Sequence, residues 1–480
     1  MLTFSKENVD YSLLVFTLFF CLLSPDIKSQ VDRNNIPSIG DRVSGVVSLE
    51  QEKQIGEYFL TQIYAQAPLI DDPLVKEFAE LLVYRISETS RVQNREFKVV
   101  LIDDKSLNAF AAPGGVIGIN AGLFLHADNE AQFASVITHE LAHVSQRHFA
   151  RGVLRGQDTN IASALVLISS IALAIVTNNP TAFIAGPAAL AQQQLRYSRV
   201  FEREADRFGF NNLINAGYDP KSMGEMFENM SKISRLSGDL PPEFLLSHPV
   251  TSSRISDAFN AADQSGIDGG KINSPDYQFI KGRIEAKYFN VNASPESYFE
   301  DLYSKNQNLQ NTVSLITTYS KNRKFEKANN LLDKLLSSFP KNLILKTIEG
   351  EIYFLQDDLN KALEVVNQIL TISPNNYPAS ILKVKILSNK KEYLFAEQIL
   401  RDQLLKKNKQ PELWLLLSEI QRASKNIVGY HISKGEYFIL IGKYDDALNE
   451  LQFALRLVQN NFQVSESIMT KINEIKRRKG

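Results

Sequence analysis

Apolar residues recur at helical spacing around residue 140 of the chain. Phe133, Ile137, Leu141 and Val144 follow one another at intervals of four, four and three residues. Because an α-helix returns to the same face about every 3.6 residues, this pattern predicts a helix with one buried stripe.

A second helix is predicted to begin near Phe201 and to end at Ala216. Gly217 supplies a C-terminal cap, and Pro220 follows closely, as is common beyond a helix end. At about 100° per residue, one face carries two carboxylates among small and apolar residues: Glu202, Ala205, Asp206, Gly209, Leu213 and Ala216. Small residues allow another helix to approach this acidic face closely.

The stretch between these helices, residues 159–195, contains no charged residue. Its longest apolar run, Ile161 to Val176, would form a helix of about 24 Å, shorter than the roughly 30 Å of a bilayer core. Asn179-Pro180 and Gly186-Pro187 interrupt any extension. We interpret the stretch as a hydrophobic lid that contacts a membrane peripherally; the alternative is buried core.

From about residue 305 the pattern becomes helical and repetitive, with a 34-residue period. The recurring pairs are Ala328 and Ala362, Pro340 and Pro374, and Asn342 and Asn376. This period is typical of tetratricopeptide repeats, which form an α-solenoid that binds protein partners. A further unit at Gly435 to Gln459 is out of register, which predicts an extra helix or a bend around residues 412–434. A purely structural role for the repeats is the alternative.

The N-terminal apolar run, Leu13 to Leu23, fits the hydrophobic core of a secretory signal and is too short to span a bilayer. We predict a signal peptide over residues 1–29; a retained N-terminal anchor is the alternative. The only cysteine, Cys21, lies in this run. The mature chain would then lack cysteine, which excludes thiol chemistry and is compatible with export.

Length and charge limit the classes of function. A chain of 480 residues is expected to form two or three domains. Its 53 basic and 54 acidic side chains nearly balance, so bulk charge gives no indication of nucleic-acid binding.

The five residues from His139 to His143 read His-Glu-Leu-Ala-His. Their spacing places two imidazoles one helical turn apart, where both can bind one metal ion. Glu140 lies beside them and can take a proton from a water molecule that the metal activates. The motif predicts a zinc peptidase; two surface histidines on an ordinary helix are the alternative.

A catalytic zinc site needs a third protein ligand and keeps one position open. His148 would lie on the opposite side of the same continuous helix, which predicts a surface or capping residue. His126 and His431 are weak candidates, since one precedes the helix and the other lies far away in the sequence. Glu202 is the better candidate, and Asp206 is placed to accept a hydrogen bond from a ligating histidine. A surface helix with a salt-bridged Glu and Asp is the alternative.

The His-Glu-x-x-His motif followed by Glu202-x-x-x-Asp206 resembles the membrane-associated zinc metallopeptidases related to the CAAX prenyl protease. Residues 108–120, which end in Val-Ile-Gly-Ile-Asn, are similar to the edge strand beside the cleft of that family. Ser247-His248-Pro249, followed by Ser253-Arg254-Ile255, resembles the loop after its third ligand.

The resemblance implies one zinc ion per chain with three protein ligands: His139, His143 and Glu202. It implies that Glu140 is the general base and that Asp206 orients a ligand. His248 would either occupy the open position of the zinc and hold the enzyme inactive, or stabilise the oxyanion with help from Arg254. The residues do not choose between these two roles.

Together the motifs predict a mainly α protein. A zincin-like metallopeptidase domain with a small β-sheet, residues 30–290, would precede a solenoid of tetratricopeptide repeats, residues 291–480. This combination resembles the periplasmic branch of the family. It implies a Gram-negative periplasm, outer-membrane β-barrel proteins as substrates and the barrel-assembly machinery as partner. The rivals are a chaperone or adaptor with a blocked or structural zinc site, and an integral-membrane peptidase.

Overall fold

The structure is a computed structural model that describes residues 47–155, 199–236, 243–289, 294–458 and 461–479. The predicted signal peptide, the predicted lid and the predicted domain boundary at residue 290 lie outside these residues. The described residues form mainly helices with one small sheet, which confirms the predicted fold class.

Two helices precede the sheet: α1 (Leu49–Gln66) and α2 (Pro73–Ser87). Ser48 begins α1 with a capping box, since its hydroxyl accepts from the Gln51 N–H at 3.1 Å and the Gln51 side chain accepts from the Ser48 N–H at 2.7 Å. The Asp72 carboxylate caps α2 ahead of a proline in the first turn. Local sequence therefore determines where both helices begin.

Three short strands form the sheet: β1 (Lys98–Ile102), β2 (Ala109–Ala112) and β3 (Val116–Asn120). β3 lies in the centre, parallel to β1 and antiparallel to β2. Of residues 108–120, which resemble an edge strand, the part Val116–Asn120 is therefore not at an edge, because both of its sides are paired. The edge strand that packs against the motif helix is β2. Apolar patterning marks a buried strand but does not reveal its neighbours.

Eight helices described after the sheet complete the peptidase part: α3 (Ala121–His126), α4 (Glu130–Ser145), α5 (His148–Arg155), α6 (Arg199–Asn215), α7 (Lys221–Leu236), α8 (Glu243–Ser247), α9 (Ser252–Gln264) and α10 (Pro275–Tyr288). α4 is central, because α2, β2, α6 and α7 all pack against it. Residues 130–143 of α4 are all buried. A polar motif on such a helix lies inside the protein.

The repeats consist of helices that pack mainly against their sequence neighbours. They are α11 (Pro295–Lys305), α12 (Leu309–Lys321), α13 (Phe325–Ser338), α14 (Leu343–Leu355), α15 (Leu359–Ile372), α16 (Tyr377–Asn389), α17 (Tyr393–Leu404), α18 (Pro411–Ala423), α19 (Ile427–Leu440), α20 (Tyr444–Leu457) and α21 (Phe462–Lys479). No helix among the described residues is both long and apolar enough to cross a bilayer.

Left-handed turn residues mark the period of the repeats. Arg323, Asp357, Lys391 and Lys425 all have positive φ angles and stand 34 residues apart. The next such residue, Gly442, follows after half a period. Helix α19 occupies this interval, which confirms the predicted extra helix around residues 412–434.

The first repeats are joined to the peptidase part by a shared core and by ion pairs. One apolar cluster runs from Ile70 in the peptidase part to Ile352 in α14. The Arg283 guanidinium of α10 contacts Asp72 at 2.5 Å and Glu351 of α14 at 2.7 and 2.9 Å. A partly buried charge cluster of this kind favours one register of the elements it joins.

The later repeats contact α2. The Glu77 carboxylate accepts hydrogen bonds from the Asn376 side chain and the Tyr377 N–H, both at 3.1 Å. One turn further along α2, Glu80 pairs with Lys407. Part of the repeat array is thus occupied by a helix of the same chain.

Candidate metal centre

The buried helix α4 carries the two motif histidines. It begins at Asn129, whose side chain accepts from the Gln132 N–H at 2.9 Å. His139, Glu140 and His143 are each no more than 4% exposed. The alternative of two surface histidines is therefore wrong.

Helix α6 brings the predicted carboxylates to α4. Glu202 is 4% exposed, so the alternative of a surface salt bridge is also wrong. The two helices approach closely at Gly209, where a Cβ atom would lie 3.0 Å from both the Cα and the N of His139. The small residue predicted on this face is what permits the contact.

Replacing Gly209 with alanine is expected to destabilise the protein. Alanine gains up to about 1 kcal/mol in helix propensity, but overpacking typically costs about 1–3 kcal/mol. Overpacking prevails because the contacted atoms are backbone atoms of α4, which cannot rotate away. The free energy of unfolding, measured by urea denaturation, should fall by up to about 2 kcal/mol.

The matched control is Gly350→Ala in the middle of α14. There the added Cβ would meet side-chain methyl groups of Leu382, Val366 and Val365, which can move. This variant should be neutral or slightly stabilised. Equal destabilisation of both variants would contradict the close-approach argument.

Four donor side chains converge on one point: His139, His143, Glu202 and His248. Their ligand atoms all lie within 4.8 Å of one another, and all four residues are buried. The Nε2 atoms of the two motif histidines are 3.0 Å apart, and each lies 3.5 Å from a Glu202 carboxylate oxygen. A compact set of imidazole and carboxylate donors is the chemistry that zinc and similar divalent ions prefer.

A carboxylate and an arginine hold this arrangement from behind. Asp206 Oδ1 lies 3.0 Å from the far nitrogen, Nδ1, of His139. The Arg254 guanidinium donates to both oxygens of Asp206 at 2.7 Å and its Nη1 lies 3.0 Å from Glu202 Oε2. A bidentate contact of this kind fixes the orientation of both carboxylates.

The charges around the cluster favour a cation. Burial alone would raise the pKa of Glu202, but His248 and His139 outweigh it and hold that pKa well below its usual value. Burial also opposes charge on His139, yet hydrogen bonding to Asp206 and Glu202 raises its pKa to about 9. Ionised carboxylates in a dry site are an electrostatic setting that a divalent metal ion satisfies.

Glu140 has a different environment. Burial raises its pKa, and its Oε1 has no hydrogen-bond partner among the described residues. This oxygen lies 3.6 Å from His248 Nε2. An unsatisfied buried acceptor is costly in a purely structural role, whereas a general base needs an acceptor that is free.

His248 reaches the cluster from the loop after α8. Its Nδ1 lies 3.1 and 3.2 Å from the two oxygens of Glu202 and 3.4 Å from His139 Nε2. The ring stacks on Phe244 at 4.8 Å, and the next carbonyl, that of Pro249, accepts from Arg254 at 2.9 Å. The loop is thus held with the imidazole pointing at the ligands.

The predicted position of His148 is wrong. A new helix begins at His148, because Arg147 adopts a left-handed conformation with φ 50°. The Arg147 side chain reaches the Val47 carbonyl at 2.7 Å and Glu52 at 3.3 Å. This turn directs the fully buried His148 back to His143, with their Nδ1 atoms 2.8 Å apart. The prediction failed because it assumed one continuous helix.

The remaining histidines lie elsewhere. His126 ends α3, and His431 of α19 contacts Glu450 at 2.6 Å. Neither belongs to the donor cluster found among the described residues.

The chain is similar to known metallopeptidases. The model of peptidase family M48 matches residues 75–262. A relative from Vibrio cholerae is 31% identical over 338 residues, which cover 68% of each chain. The beta-barrel assembly-enhancing protease of Escherichia coli strain K12 is 28% identical over 466 residues, covering 94% of this chain and 92% of that protein. A mitochondrial metalloendopeptidase of Arabidopsis thaliana is 29% identical over 186 residues, covering 39% of this chain and 36% of that protein.

Proposed function

The chain belongs to peptidase family M48 and is a metallopeptidase, and from this premise we propose that it is an exported zinc endopeptidase acting on outer-membrane β-barrel proteins. The observation that carries the proposal is the buried cluster of three imidazoles and one carboxylate beside the Glu140 oxygen that has no hydrogen-bond partner among the described residues. The test is metal analysis of the purified protein, together with cleavage of an unfolded β-barrel substrate.

We assign metal binding to three residues: His139, His143 and Glu202. The chemistry that zinc supplies when bound is Lewis-acid activation of a water molecule and of the scissile carbonyl. Glu140 takes the proton from the attacking water and passes it to the leaving amine. Asp206 accepts the Nδ1 proton of His139, which keeps Nε2 directed at the metal, and Arg254 holds Asp206 in place.

The strand β2 is the proposed docking edge for substrate. It packs against α4, and the Ala111 backbone hydrogen-bonds to the Glu140 carboxylate. Among the described strands β2 pairs only with β3. An extended polypeptide that pairs with the other edge of β2 would therefore run past Glu140. Such pairing favours unfolded or strand-forming substrates, and unassembled β-barrel proteins belong to this class.

The client and the compartment are proposed from the relatives. The name of the Escherichia coli relative specifies beta-barrel assembly. We propose that residues 1–29 are a signal for export to the periplasm and that residues 30–290 form the peptidase domain. The repeats, residues 291–480, would recruit clients or the barrel-assembly machinery, and residues 159–195 would form a lid in peripheral contact with the membrane.

His248→Ala is expected to increase proteolysis. A catalytic zinc site keeps one position open, whereas four donors meet in this cluster. We propose that His248 fills the fourth position in a resting state. If about one molecule in ten is open at rest, removing the imidazole should raise the cleavage rate about tenfold. The measurement is the initial rate on an unfolded β-barrel substrate.

Lower activity in His248→Ala would instead assign the imidazole to oxyanion stabilisation. The four-donor cluster also favours a second candidate, a chaperone or adaptor whose zinc site is permanently blocked. In that case neither the wild type nor His248→Ala would cleave any substrate, while client binding would persist.

A further inference from the structure

The two motif histidines are supported at their far nitrogens by different partners. His139 Nδ1 faces Asp206, whereas His143 Nδ1 lies 2.8 Å from Nδ1 of a third imidazole, His148. His148 lies outside the donor cluster. We propose that His148 is a positioning residue that fixes the tautomer and the ring orientation of His143 through a chain ending at Glu204. This role rests on the proposed metal binding by His143.

The positions of the protons on His143 and His148 follow from the geometry of their contacts. His143 Nε2 faces the donor cluster, 3.0 Å from His139 Nε2 and 3.5 Å from Glu202 Oε1. A neutral imidazole that binds a metal through Nε2 keeps its proton on Nδ1. That proton points at Nδ1 of His148, which can accept it only if His148 carries its own proton on Nε2.

The contact of His148 with Glu204 favours this position of the proton. His148 Nε2 lies 3.4 Å from Glu204 Oε2, an ionic contact whose negative charge favours the proton on Nε2. The Arg151 guanidinium lies 3.0 Å from Glu204 and keeps it charged and in place. The two contacts therefore favour one arrangement of protons, in which His143 Nδ1 donates to His148 Nδ1 and the Nε2 proton of His148 faces Glu204.

Packing holds the His148 ring in the plane that its contacts with His143 and Glu204 require. The ring stacks on Phe201 at 4.5 Å with an interplanar angle of 12°, and the Arg151 guanidinium lies 4.8 Å from the same phenyl ring. Phe201 directly precedes Glu202 in α6. One aromatic contact thus links the support of His143 to the helix that carries the third proposed ligand.

The role predicts a difference between two amide substitutions of His148. An asparagine amide lies near the position of Nδ1 and can still accept from His143, whereas a glutamine amide lies near Nε2 and cannot. Partners that orient a metal-binding histidine typically contribute about 10–100-fold to metal affinity. We expect His148→Asn to retain zinc affinity near that of the wild type and His148→Gln to lose about 10–100-fold.

Two readouts separate positioning from folding. Zinc affinity of the full chain is measured by competition with a chelator. The visible spectrum of the cobalt-substituted protein reports ligand geometry, and it should change in His148→Gln but not in His148→Asn. His431→Gln, which alters a histidine of the repeats outside the cluster, is the control and should match the wild type.

Equal affinities and equal cobalt spectra for the asparagine and glutamine variants would overturn the proposal. A loss of zinc affinity in both variants would also overturn it, because the acceptor near Nδ1 in His148→Asn would then not have preserved the affinity. A wild-type protein that binds no metal would instead remove the proposed function, and the role of His148 with it.

Discussion

Glu140→Gln should abolish proteolysis while the protein still binds its metal. The substitution keeps the size of the side chain but removes the acceptor that takes the proton from water. Loss of a positioned general base typically costs about 10²–10⁴-fold in rate. Glu140 lies beside the donor cluster without belonging to it, so metal content should be unchanged. The measurement is the cleavage rate of an unfolded β-barrel substrate together with metal analysis.

A matched control for this variant is Glu397→Gln in α17. Glu397 is also buried, but it contacts Arg401 and Gln421 in the repeats. This control should lose little peptidase activity. Cleavage by Glu140→Gln at the rate of the wild type would remove the catalytic assignment. Loss of metal together with activity would show that Glu140 shapes the site rather than serving as base.

Glu202→Gln should lose the metal and, as a consequence, all activity. The carboxylate is the one anionic donor in the cluster, and its negative charge offsets that of the cation. Removing a direct ligand should weaken binding by more than the roughly 100-fold that a supporting partner can contribute. The variant also leaves Arg254, which lies 3.0 Å from Glu202, without that ionic contact.

Thermal unfolding gives a second measurement of the same loss. A metal that binds the native state stabilises it, and it does so more strongly as the concentration of free metal rises above Kd. Chelation should therefore lower the Tm of the wild type and leave the Tm of Glu202→Gln unchanged. Glu225→Gln on the exposed side of α7 is the control and should respond to chelation as the wild type does. Full zinc occupancy in Glu202→Gln would show that another carboxylate is the ligand.

The sequence alone determined the features that depend on helical periodicity. Two histidines four residues apart share a helix face wherever the helix lies, and the same geometry puts Glu202 and Asp206 on one face beside Gly209. The 34-residue period likewise predicted the repeats and the place where their register breaks. These features follow from local geometry, which a short segment of chain contains in full.

Tertiary structure decided the features that depend on distant segments. The order of the strands depends on which distant segments pair, so only the structure showed that β2 rather than β3 forms the edge beside α4. The turn at Arg147 is held by Val47 and Glu52, which lie far away in the sequence. His148 consequently reaches His143, although helical periodicity placed it on the opposite face. A local pattern specifies the face of an element, whereas the partner that meets this face is selected by packing of the whole chain.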